Sequence, residues 1–185
     1  MGMIAMIIIF ICLCTDNMVT ANMSAMNMEP KTKSVFSIKA ALCFAGFNVL
    51  FFTIGYIIAI LFFHAYFARV NNWVAFAFLL LLGIKYLLET IEKSPSFKEN
   101  EAGDNGKIWR VSLISASQFL LVGYPLELMG KSWFPQVLFL LIISFLMTIL
   151  GFHMGGKTSK NIVSKKVEFV AGLVLVVMAI RLIIL

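Results

Sequence analysis

The chain has 185 residues, 61% of them hydrophobic and only 13% charged, against roughly 45 to 50% apolar content in a soluble domain. That excludes a water-soluble globule, and at about 20 residues per spanning helix the length holds six membrane crossings. The net charge of +6 does not point to nucleic acid, which requires Lys and Arg gathered on one folded face; here they lie in short gaps between apolar runs.

The apolar runs predict spans at about 3–27, 36–63, 72–91, 108–129, 134–155 and 167–185. The first has no basic segment before it and no small-residue cleavage pattern after it, so it reads as a retained helix and not a removed signal peptide. Glu29-Pro30-Lys31 closes it, Asn71-Asn72 opens the third span, and Ser132 to Pro135 starts the fifth. The stretch 92–107 mixes both charge signs with Gly and reads as a solvated connection. Trp73, Trp109 and Trp133 stand at span starts, where amphipathic rings sit at a headgroup boundary.

Positive residues near span ends favour the cytoplasmic side. Twelve of the Lys and Arg residues fall with the first, third and fifth connections, and only Arg69, Lys131 and Arg181 fall on the other side. This orientation puts both termini outside. Each half holds three spans, an odd number, so the second half must be inverted relative to the first. Self-similarity agrees: LLLLGIKYLLE and VLVVMAIRLIIL set Lys85 opposite Arg181, and polar clusters interrupt both the first and fourth spans. The predicted fold is all-α: one polytopic transmembrane domain over 1–185, with six transmembrane helices as two inverted three-helix repeats, about 1–91 and 108–185. Transporters recurrently use this plan, with a midplane binding site.

Asp16 is the leading candidate residue. A carboxylate in mid-span costs at least about 2.5 to 3.5 kcal/mol and is a functional candidate by default. At about 100° per residue, Thr20 lies roughly 40° from Asp16, Asn27 roughly 20°, Ser24 roughly 80° and Asn17 roughly 100°. This polar stripe lines either a water-accessible path or a polar helix contact. Ser112, Ser115 and Gln118 form a shorter counterpart on the fourth span, with Asn48 in the second and Thr148 in the fifth. Oxygen donors of this kind suit Mg²⁺, Ca²⁺ or Mn²⁺, although a single carboxylate leaves one charge of a dication uncompensated.

Other residues carry less. Cys12, Cys14 and Cys43 lie inside apolar runs without metal-type spacing, and Cys12 and Cys14 point about 200° apart on a helix, which disfavours a Cu(I) site built with the early methionines. His153 reads as interfacial, Gly151 and Gly155 as a close-approach pair, Glu168 as a surface partner of Lys165, and Glu127 as solvated. No nucleophile elbow, phosphate loop or HExxH motif occurs, so no enzyme and no cofactor are expected; the expected partners are the bilayer and a divalent metal ion.

The chain resembles the bacterial manganese efflux pumps of the MntP type, on the third-span run NNWVAFAFLLLLGIKYLLE and on TILGFHMGGKTSKNIVSKKVEFVAGLVLVV. The resemblance implies a six-span exporter of the bacterial inner membrane, built from two inverted halves, with manganese as cargo. It also implies an ion-binding Asp on the first span, which Asp16 in CLCTDNMVTAN matches, and another on the fourth, where Gln118 stands in ISASQFLLVG. Asn48, in AGFNVLFFTIGY, falls where such pumps commonly carry an acid. Each amide keeps shape and hydrogen bonding but removes a negative charge. Two functions follow: an exporter with Asp16 as metal ligand and Asn48 and Gln118 as neutral oxygens, or a non-transporting scaffold that kept the fold.

Overall fold

The computed structural model describes residues 3–26, 30–63, 71–91, 105–128, 132–154 and 162–184. Among these the chain is all-helical: α1 (Met3–Met26), α2 (Pro30–Ile58, continued by a π-helical turn at Ala59–Phe63), α3 (Asn71–Ile91), α4 (Asn105–Leu128), α5 (Trp133–Met154) and α6 (Ile162–Ile184). All six predicted runs become helices. Ile4–Asn22, Ser34–Leu61 and Trp133–Met154 are long and apolar enough to cross a membrane, and Trp73–Leu88 is a shorter apolar stretch.

Three helices begin three or more residues before their apolar runs. α2 starts at Pro30, α4 at Asn105 and α6 at Ile162, because hydropathy marks the part of a helix facing hydrocarbon and not where its backbone hydrogen bonds begin. Proline suits the first position of α2, where its missing N–H costs nothing. The last residues of the stretch read as a connection, 105–107, therefore belong to α4, and 92–104 lie outside the described residues. The early start of α6 also sets Glu168 well inside the helix, where it is buried and not at the surface.

α1 is buried on nearly every side: Ile9, Phe10, Leu13, Cys14 and Asn17 are all fully covered, as befits a helix apolar around most of its circumference. α5 buries a single stripe, Gln136, Leu140, Ser144, Thr148, Gly151 and Phe152, and exposes Leu138, Leu141, Ile142, Leu146 and Leu150. Trp73, Trp109 and Trp133 are exposed.

The longest helix contacts join α2 to α4, α3 to α6 and α1 to α5, with α2 also packed on α5, α1 on α6 and α3 on α4. Glycines set the closest of these crossings. A Cβ added at Gly55 of α2 would stand 2.1 Å from the Leu120 carbonyl oxygen of α4, and one at Gly123 of α4 would stand 2.5 Å from the Tyr56 nitrogen. On α5, a Cβ at Gly151 would meet the Met18 carbonyl oxygen of α1 at 2.3 Å; Gly155 lies outside the described residues. Gly83 and Gly172 face one another where α3 crosses α6. Removing side-chain bulk is how membrane helices gain packing contact when hydrocarbon tails are as apolar as their own side chains.

A polar cluster where four helices meet

The first-span cluster Thr15-Asp16-Asn17 points in three directions because consecutive helical residues diverge by about 100°. Thr15 bonds back to its own helix, its hydroxyl donating to the Cys12 carbonyl at 2.6 Å. Asp16 faces α4, where the Ser115 hydroxyl lies 2.6 Å from Asp16 Oδ2 and 2.9 Å from Asn17 Oδ1. Asn17 also reaches α5, its Nδ2 donating to Ser144 Oγ at 3.1 Å. From α2, Asn48 Nδ2 donates to the same Ser144 oxygen at 2.8 Å. One connected set, Asp16, Ser115, Asn17, Ser144 and Asn48, therefore ties together α1, α4, α5 and α2.

This set is removed from solvent. Asp16 is 8% exposed, and Asn17, Asn48 and Ser144 are 0% exposed. A buried amide or hydroxyl without a partner costs about 1 to 3 kcal/mol, which is why these groups find one another across the bundle. Asn48 Oδ1 and Ser112 Oγ are among the buried atoms that have no hydrogen-bond partner among the described residues. Nowhere among the described residues do three or more His, Cys, Asp or Glu side chains gather as a metal-binding group. Within this network the Asp16 carboxylate is joined to neutral hydroxyl and amide groups.

Of the sequence-predicted residues, the structure brings Asp16, Asn17, Asn48 and Ser115 into one network. Gln118 is buried one turn along α4, with its Nε2 donating to the Leu13 carbonyl at 3.3 Å and its Oε1 accepting from the Tyr86 hydroxyl at 3.1 Å. Tyr86 also lies 3.0 Å from that Leu13 carbonyl, so Gln118 joins α4 to α1 and α3. Thr148 is buried, its hydroxyl donating to the Ser144 carbonyl at 2.8 Å. Thr20 and Ser112 are buried and Ser24 is half-buried; Asn27 lies outside the described residues. Ser117 is exposed and bonds within its own helix to Ile114.

Two participants escaped sequence reasoning. Ser144 sits in an otherwise apolar run, yet Gln136, Ser144 and Thr148 fall on one face at multiples of four residues, a stripe that marks a buried polar seam. Tyr86 gave no signal, since an aromatic near a span end ordinarily reads as a boundary residue.

A family model described as "Putative manganese efflux pump" matches residues 29–183. The chain belongs to this MntP family. Among similar proteins is "Putative manganese efflux pump MntP 2" of Clostridium botulinum strain Hall, 24% identical over 192 aligned residues that cover 98% of this chain and 94% of the relative. Another is "Putative manganese efflux pump MntP" of Campylobacter jejuni strain 81-176, 29% identical over 142 residues, 76% of this chain and 74% of the relative. No solved structure matches. The family and the apolar helices together make this chain a multi-pass membrane protein of a transport family, at a low identity that fits a divergent member.

Proposed function

We propose that this chain is a six-span transporter of the bacterial cytoplasmic membrane that exports a divalent cation, manganese, by alternating access around Asp16. The observation that carries the reading is a buried carboxylate held by Ser115 at the meeting point of four helices, in a chain whose relatives bear the name of manganese efflux pumps. Asp16 supplies the charge. Asn17, Asn48 and Ser115 supply neutral oxygens, and Gln118 adds one more when its bond to Tyr86 opens. Thr20, Ser24, Asn27, Ser112 and Thr148 line the path.

Two inverted halves supply the moving parts. Exchanging α1, α2, α3 for α4, α5, α6 leaves the pattern of main helix contacts unchanged. The spacing of 96 that separates Asn48 from its partner Ser144 also separates Gly55 from Gly151 and Lys85 from Arg181. The spacing between Asp16 and Gln118 is likewise that between Met18 and Leu120, the residues on which those two glycines pack. Such internal equivalence supports rocking of one half against the other. The positive-inside bias puts both termini outside.

The test is manganese sensitivity and cell manganese content in an efflux-deficient host carrying wild type, Asp16→Asn or Gln118→Asp. Wild type should lower cell manganese and Asp16→Asn should not; equal content in all three and an empty-vector control sinks the proposal. A reporter inserted near Gly103 should be cytoplasmic. The rival reading, a scaffold without transport, draws on Gln118 and Asn48 being amides already bonded within the protein, and that null result would favour it.

A further inference from the structure

The junction of α1, α2 and α5 holds a second kind of site. Asn17, Asn48 and Ser144 converge there with no exposed surface, and none of them carries charge. Both lone pairs of Ser144 Oγ are engaged by amide donors, from Asn17 at 3.1 Å and Asn48 at 2.8 Å. Asn48 Oδ1 meets no protein donor among the described residues although it is buried. An amide oxygen left so would cost about 1 to 3 kcal/mol, and its chemistry is that of a cation ligand. Both amides now present nitrogen to Ser144. Turning each carboxamide about its last bond brings its oxygen there instead with almost no change of shape, sets Asn17 Nδ2 against Ser115 and moves Asn48 Nδ2 to where Oδ1 stood. That rotation presents three neutral oxygens, from Asn17, Asn48 and Ser144, with Thr148 one turn away on the same stripe.

Charge decides which cation fits. Neutral carboxamide and hydroxyl oxygens replace the hydration shell of a monovalent ion without overcompensating it, much as carbonyl oxygens do in channels and transporters. The nearest formal charge on this network is Asp16, reached from Asn17 through the shared Ser115 hydroxyl. One carboxylate neutralises a monocation fully and a dication only by half, and an uncompensated charge is costly away from water. We propose that Asn17, Asn48 and Ser144 bind a small monovalent cation, sodium, as the coupling ion for export. Sharing Asn17 and Asn48 with the Asp16 site makes the two ions compete, so that sodium entering from outside displaces the outgoing cargo. The coupling role rests on the proposed function; the sodium site does not.

The test separates the two. Full-length protein in detergent is melted in sodium, potassium or choline chloride at equal ionic strength, without manganese. Sodium should raise the melting temperature by roughly 5 °C or more once it exceeds its dissociation constant about a hundredfold, and potassium and choline should not. Ser144→Ala and Asn48→Leu should abolish the sodium effect, Asn48→Asp should keep or strengthen it, and Ser117→Ala, at an exposed hydroxyl, should leave it intact. A wild type without a sodium-specific rise overturns the proposal, as does a rise that survives both Ser144→Ala and Asn48→Leu. In proteoliposomes an imposed sodium gradient should accelerate manganese flux several-fold. A sodium-specific rise without any manganese flux refutes the exporter and leaves the site standing; manganese flux indifferent to sodium refutes the coupling role.

Discussion

The Ser115 hydroxyl of α4 lies 2.6 Å from the carboxylate of Asp16 on α1, a partner 99 positions away. A hydrogen bond to an ionised carboxylate is worth roughly twice a neutral one, so the Ser115 donor favours the charged form that holding a cation needs, in an interior where an uncompensated charge is costly. Ser115→Ala removes that donor. Manganese export should fall several-fold with a raised half-saturating concentration, read from transport in inverted membrane vesicles, and the melting temperature should drop by a few degrees for a loss of about 1 to 3 kcal/mol.

Asp16→Asn keeps the size and planarity of the side chain while deleting its charge. Export should be lost to the empty-vector level, while the yield of monodisperse protein in detergent stays near wild type. Loss of the folded protein would instead assign Asp16 a structural role.

Gln118→Asp introduces a second carboxylate on α4. The shorter side chain gives up the bonds to Tyr86 and Leu13, so the protein should melt lower. Bound manganese should nonetheless tighten by tenfold or more, because a second negative charge compensates the dication. Isothermal titration against wild type, with Tyr86→Phe as a control for the lost hydroxyl bond alone, checks both effects.

The glycine crossings predict a sharp contrast within α2. Gly55→Ala would drive a methyl to 2.1 Å from the Leu120 carbonyl, whereas nothing stands within 4 Å of a Cβ at Gly46. Overpacking of this kind costs about 1 to 3 kcal/mol or more. Gly55→Ala should therefore lower the melting temperature by several degrees and impair export, and Gly46→Ala should do neither.

Residue order carries whatever a single helix feels. Six apolar runs specified six helices, though not where α2, α4 and α6 begin, because the cost of exposing apolar surface is paid residue by residue along the chain. Asp16 stood out on the same local ground, as a lone carboxylate deep in an apolar run. The likeness of the runs that hold Lys85 and Arg181 was legible too, since it lies in residue order alone.

Which faces meet is settled by packing. Asn17 and Asn48 share Ser144, partners 127 and 96 positions away, and no local period records such a pairing. Gln118 illustrates the difference most clearly. The resemblance implies a second ion-binding position there, but its amide is turned to Tyr86 and the Leu13 carbonyl and not into the Asp16 network. Hydropathy states that a polar group must be satisfied; packing geometry alone selects the atom that satisfies it.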